Sequence, residues 1–228
     1  MAAPAAEYRA AQATLTSALA VQVAHAWAAL LDTSRLRASI PVLAAAAAAL
    51  VARYGQVSAM LAAQYYEAAR LDAGVAGRFS PVPADPADLD AVTEVVKWAT
   101  RDLWTPEPDV APARAAAVAA TEKLVLDAGR DTITGAVLAD RKARGWARVT
   151  QPGACYFCVM LATRGAVYKT EATAGFQAHD HDHCHPEPVF TAYEPSAQVR
   201  EWQALWSEST AGHSGKAAIA AFRAALGQ

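Results

Sequence analysis

The chain has 228 residues, 54% of them hydrophobic and 18% charged, with 20 Lys and Arg against 22 Asp and Glu for a net charge of -2. That content excludes a disordered chain, and the charge balance excludes a protein that coats nucleic acid through bulk positive charge. Much of the apolar fraction is alanine, the strongest helix former, and the fold class expected is mainly α. A length of this order allows one or two domains.

No segment reads as spanning a membrane. The longest apolar candidate, Ile40 to Ala52, ends at Arg53 and falls short of the roughly 20 residues a bilayer requires. The N-terminus lacks a basic region ahead of a long apolar run, and Glu7 and Arg9 interrupt it, so no signal peptide is expected.

The expected body, residues 1–148, opens with a helical hairpin over 5–74. In the first helix, Leu15, Leu19, Val23, Ala26, Trp27 and Leu30 recur at steps of three and four and define one face. His25 reads as a helix-face histidine without a catalytic partner. The second helix starts near Ser39 with Pro41 in its first turn. Leu43, Leu50 and Val57, with Tyr54, Leu61 and Ala68, suggest a heptad-like seam against the first helix. The run Ala44–Ala49 offers a flat outer face to a partner. A third helix is expected over 86–104, capped by Asp85 with Pro86 following. Leu89, Val92, Val96, Ala99 and Leu103 form its stripe. A fourth covers 113–128 and stops at Gly129, and a fifth covers 132–142. Arg141, Lys142, Arg144 and Arg148 read as a solvated basic face.

The texture changes at Val149, where proline, glycine, aromatics, cysteine and histidine replace the alanine helices as far as Phe190. A small loop and β module is expected over 149–190, followed by a helical tail over 191–228. Pro195 opens one tail helix with Val199, Trp202, Leu205 and Trp206, and Ser214 caps another with Ile219, Phe222 and Leu226.

All three cysteines lie in this module. Cys155-Tyr156-Phe157-Cys158 is a C-x-x-C, and the second group is His181-Asp182-His183-Cys184-His185. Two thiolates on one turn and a second pair from a distant loop complete a tetrahedron around zinc. Cys155, Cys158, His181 and Cys184 are the expected ligands, with His183 the alternative to His181, and His179 or His185 as outer donors. Four ligands leave no open position, so the zinc would be structural. A thioredoxin-type C-x-x-C would need a βαβ pattern, and none is apparent. His-Asp-His beside a C-x-x-C also resembles ββα-metal (HNH-type) nucleases, in which a histidine activates water. Neither their second C-x-x-C nor their later Asn or His follows at the expected place; Pro186-Glu187-Pro188-Val189-Phe190 stands there instead. No hydrolase motif or phosphate-binding glycine loop is present.

The module resembles the MuF-like minor head proteins of tailed bacteriophages, in the form common in actinobacterial phages and prophages. The residues that carry the resemblance are Cys155-x-x-Cys158, Leu161-Ala162-Thr163-Arg164-Gly165-Ala166-Val167-Tyr168, and His181-Asp182-His183-Cys184-His185 with Pro188-Val189. Arg53-Tyr54-Gly55 and Tyr65-Tyr66 upstream, and Thr210 to Lys216 with Ala221-Phe222-Arg223 downstream, extend it over most of the chain. That family usually closes its second ligand group with C-x-C, whereas Pro186 stands at the second of those positions here. The resemblance implies a minor capsid protein that associates with the portal, and possible further contacts with scaffold, major capsid protein or packaged DNA. It implies a place inside the virion head, after assembly in the host cytoplasm. Some family members are labelled capsid maturation proteases, but no protease constellation is found in this sequence.

Overall fold

A computed structural model of the chain describes residues 4–150, 153–170, 175–179 and 182–228. It is mainly helical, as expected, with seven α-helices and a two-stranded sheet among the described residues. Four helices form the body: α1 (Pro4–Leu30), α2 (Leu36–Asp72), α3 (Leu89–Thr100) and α4 (Val110–Ala139). The short strand β1 (Gly145–Val149), helix α5 (Tyr156–Ala162) and strand β2 (His185–Val189) follow. Helices α6 (Ala197–Ser209) and α7 (Gly215–Ala225) close the chain.

Helix α2 is central and packs against α1, α3 and α4. The stripe read from α1 is the one it buries, through Leu19, Val23 and Trp27, and it continues upstream through Thr16, Gln12 and Tyr8. The stripe of α3 likewise buries Val92, Val96 and Ala99, with Leu103 just beyond, while Leu89 stays outside.

The heptad seam expected on α2 is displaced. Val57 is 41% exposed, and Leu50 and Leu61 are only partly buried. The face that goes inward carries Leu43, Ala44, Ala47, Val51, Gly55, Ser58, Ala59 and Ala62. Large side chains return to the interior only at Tyr65 and Tyr66, and between Ala44 and Ala62 they do not mark it. Small ones do, because they let neighbouring helix backbones approach closely. A Cβ on Gly55 would stand 2.9 Å from the Cβ of Pro86, a distance inside van der Waals contact.

The same reason removes the expected break at Gly129. The two helices read as 113–128 and 132–142 are one helix, α4, with Gly129 in its interior. A Cβ at 129 would lie 2.7 Å from Ser58 Oγ and 3.1 Å from both the Tyr8 hydroxyl and Gln12 Nε2. Gln12 donates to that hydroxyl and to Ser58 Oγ, so Gly129 makes room for a buried polar contact between three helices.

Helix starts also shift. Asp88, not Asp85, caps α3 by accepting from the Ala91 N–H, because Pro86 is committed to packing on Gly55. Asp109 caps α4, which begins at Val110, three residues before the expected start. Asp32 accepts from the Ser34 N–H and opens a 3-10 turn, Thr33–Arg35, that feeds directly into α2. Pro41 therefore lies one turn inside α2.

By length and composition alone, α1 and the segment through α2 could each cross a membrane, which the Ile40–Ala52 stretch by itself did not suggest. Each places a buried stripe against the rest of the bundle.

The sheet starts at Gly145, before the boundary expected at 149. β1 pairs antiparallel with β2, Ala147 opposite Glu187 and Val149 opposite His185. The Trp146 N–H donates to the Tyr168 carbonyl on the other side of β1. By the alternation of an antiparallel ladder, Pro186 and Pro188 then occupy the positions whose N–H would point off the free edge of β2, which closes that edge to a further strand. Trp146 stacks on Tyr168 at 4.2 Å and, with Tyr66, Ile133, Val137 and Phe190, joins the sheet to α2 and α4. Arg70 and Asp140 form a buried ion pair at 3.0 Å that ties the ends of these two helices. In the tail, Phe222 is fully buried among Val159, Met160, Trp202 and Trp206.

Candidate functional site

Cys155 sits at the N-cap of α5 and Cys158 lies one turn in, so the C-x-x-C turns both thiols the same way. Cys184 immediately precedes β2. Cys158 and Cys184 are 0% and 3% exposed, and Cys155 is half-buried. None of the three forms a disulfide. The ligand atoms of Cys158, Asp182 and Cys184 lie within 4.8 Å of one another, and so do those of Cys155, His179 and Asp182.

Asp182 links the two groups. Its Oδ2 accepts from Cys158 Sγ at 3.2 Å and lies 3.8 Å from Cys155 Sγ. The same oxygen accepts the His179 backbone N–H at 2.8 Å, and the Asp182 N–H donates to the His179 carbonyl at 3.2 Å. This reciprocal pair ties residue 179 to residue 182 and holds the carboxylate beside the thiols.

Of the expected ligands, the structure brings Cys155, Cys158 and Cys184 to one carboxylate. His181 lies outside the described residues. His183 belongs to neither group; it lines a cleft with Tyr8, Arg9 and His185. Cys184 stands between His183 and His185 and borders both regions, reaching the thiol cluster while also lining the cleft.

Two arginines brace the cluster, and composition gave no reason to single them out. Arg148, read as part of a solvated basic face, is 2% exposed. Its Nη1 donates to Cys158 Sγ at 3.3 Å and its Nη2 to the Gln177 carbonyl at 2.7 Å. The correction follows from β pairing: Arg148 alternates with Ala147 and Val149 and shares the inward face of Trp146. Arg130, also 2% exposed, donates from Nε to the Cys184 carbonyl at 3.1 Å, from Nη2 to the Asp182 carbonyl, and from Nη1 to Asp127 at 2.8 Å. Both guanidiniums lie over the Phe176 ring, at 3.7 Å for Arg148 and 5.0 Å for Arg130. Asp182 was legible as part of the motif, but its role depends on the turn with His179. Nothing local marks Arg130, which reaches the module from the middle of α4.

The donor set fits a thiophilic cation. The Cys158 thiol is pushed far up from its ordinary value, first by its bond with Cys184, then by burial, with Arg148 opposing. Two buried thiols and a carboxylate in contact disfavour one another's ionised forms, and a divalent cation reverses that cost by taking the thiolates as ligands. The sheet beside the C-x-x-C is antiparallel and two-stranded, unlike the βαβ setting of thioredoxin-type redox pairs.

His185 is 5% exposed and meets the stacked pair Tyr8–Tyr65 edge-on. Burial, with Arg9 and Arg130 nearby, pushes its pKa down to about 3, so the ring is neutral. Its Nε2 has no hydrogen-bond partner among the described residues.

Fold and site together define a mainly helical protein with a compact Cys/His/Asp cluster, capable of holding a metal ion, set between a helical bundle and a two-stranded sheet. Residues 1–209 match the family described as VG15 protein, and the chain belongs to that phage-related family. No curated protein and no solved structure matches it.

Proposed function

We propose that this protein is a structural component of a phage head, a minor head protein of the MuF-like kind that associates with the portal and is packaged inside the virion. The membership in a phage-related family supports the phage setting. The resemblance of the cysteine and histidine module supports the finer class. The observation that carries the structural reading is the cluster itself: Cys158 and Cys184 are buried and share one carboxylate with Cys155.

In this reading the cluster holds one zinc ion. Cys155, Cys158 and Cys184 supply thiolates, and the fourth donor comes from the His181-Asp182 pair. A zinc with four protein ligands has no open position, and its contribution is to hold residues 155–158 and 182–184 together. Binding of about 10–16 kcal/mol is enough to fold a loop-rich module with little core of its own. Nuclease chemistry would require a histidine beside the metal to activate water. His183, the residue for that role, belongs to neither ligand group and lines the cleft with His185.

Two measurements test the reading. Elemental analysis of the purified protein should find about one zinc per chain, as a single tetrahedral site requires. Cys158→Ser should lose it, while far-UV circular dichroism keeps the signal of the α1–α4 bundle. Co-expression with the portal protein of the same phage should recover the two together. A metal-free protein with an ordered module would overturn the zinc assignment. Free monomer beside assembled portal would overturn the partner. Cleavage of plasmid DNA in magnesium or manganese, lost in His183→Ala, would replace the structural reading with the nuclease one. Processing of co-expressed capsid or scaffold protein would replace it with the protease one.

A further inference from the structure

His183 and His185 line a cleft of about 200 Å³ between α1, α4 and the segment leading into β2, and Cys184, between them, borders both this cleft and the thiol cluster. The cleft is lined by Arg9, Ser17, His183 and His185 among others, with no Asp or Glu. We propose that this cleft binds a tetrahedral oxyanion of the phosphate type, held by the Arg9 guanidinium and the His185 imidazole.

Several observations converge on it. Arg9 has no hydrogen bond or ion pair among the described residues, although every other arginine facing this part of the protein from α4 and β1 is committed. Arg130 is engaged by Asp127 and two carbonyls, and Arg148 by Cys158 and Gln177. His185 is more than nine-tenths buried, and its Nε2 is left without a partner. A buried unpaired ring nitrogen is costly, and in the tautomer that carries the proton on Nε2 a hydrogen bond to an oxyanion removes the cost. Ser17 stands on the α1 rim of the same cleft with its hydroxyl exposed. The nearest carboxylate on the strand, Glu187, opens into a different cleft with Ala147 and Tyr193, and Arg9 stands between the two. The donor set is therefore one charged fork and neutral N–H and O–H groups, and no Asp or Glu lines the cleft. That chemistry suits a phosphate oxygen better than a cation or an apolar ligand.

This inference does not depend on zinc, because none of Arg9, Ser17 or His185 belongs to the thiol cluster. Its failure is separable from that of the metal reading, since the zinc content of each sample is measured independently. Inorganic phosphate is titrated into the full-length protein at constant ionic strength set with sodium chloride, and the melting temperature and 31P line width are followed. Wild-type protein should show a saturable rise in melting temperature. Arg9→Gln should weaken binding at least tenfold, and Arg9→Lys should fall between, because a lysine restores the charge without the fork. Arg9 makes no hydrogen bond or ion pair among the described residues, and the lysine variant guards against a folding defect in the glutamine one. Displacement of phosphate by a short DNA duplex would assign the group to a nucleic-acid backbone. Displacement by a nucleotide alone would assign it to a free phosphate ester. A melting curve that phosphate leaves unchanged, or the same response in Arg9→Gln as in wild type, would overturn the proposal.

Discussion

Arg130 Nε donates to the Cys184 carbonyl at 3.1 Å across 54 residues of chain, so a side chain from the middle of α4 fixes the backbone of a candidate metal ligand. Its other nitrogens hold the Asp182 carbonyl and Asp127. Replacing Arg130 with methionine removes the charged donor to both carbonyls. Charged hydrogen bonds of this kind are worth about 1.5–3 kcal/mol each, so Arg130→Met should lower the unfolding free energy by about 3 kcal/mol or more in urea. If the cluster holds zinc, the same variant should weaken it by about 10–100-fold, as loss of an outer-shell partner does, in competition with a chromophoric chelator. Unchanged stability and unchanged zinc affinity would mean that the module stands without this brace.

The two glycines of α4 should respond oppositely to alanine. Gly129 faces Ser58, Tyr8 and Gln12 within 3.1 Å of a new Cβ, whereas Gly135 is exposed with nothing within 4 Å. Overpacking at such a contact costs about 1–3 kcal/mol. Relief of glycine's helix penalty gains about 0.5–1 kcal/mol. Gly129→Ala should therefore lower the thermal midpoint and Gly135→Ala should raise it. Equal shifts would show that the α1–α2–α4 contact is looser than the backbone spacing implies.

On α2, Val51 is fully buried and Val57 is 41% exposed. Removing the two Val51 methyl groups should cost about 2 kcal/mol, from lost burial and the cavity left behind. Val57→Ala should change stability by no more than about 0.5 kcal/mol. Comparison of the two by chemical denaturation tests the displaced seam directly, and a larger loss at Val57 would restore the heptad register.

Glu187 lies opposite Ala147 in the sheet. Burial holds its carboxyl above the ordinary 4.5, with Arg9 opposing. A carboxyl whose pKa is raised by folding binds its proton more tightly in the native state. The stability it contributes is present at acid pH and is lost as pH rises through the native value. Glu187→Gln should therefore be more stable than wild type at neutral pH, and the difference should vanish below about 4.5, the ordinary value. A glutamine variant that is less stable at neutral pH would show that the ionised carboxylate is held by Arg9 more strongly than burial penalises it.

The sequence by itself determined the helical class, the inward stripes of α1 and α3, the two tail helices and the position of the cysteine module. Each of these rests on local information: alanine content, the 3.6-residue period, and the two-residue spacing of Cys155 and Cys158. Tertiary structure alone decided which face of α2 goes inside, that α4 continues through Gly129, and that Arg148 is buried. Periodicity weighs side chains by size, but close helix packing selects small ones, so Gly55, Ser58 and Gly129 carry no signal in a hydrophobic pattern. The split of the histidine-rich stretch was decided in the same way. Spacing put His183 and Cys184 within reach of one ion. Tertiary packing placed His183 and His185 in the cleft while Asp182 joined the thiols. Arg130 is the clearest case: a basic residue in a helical run, with nothing in its neighbours to show that its partners lie 52 and 54 residues away.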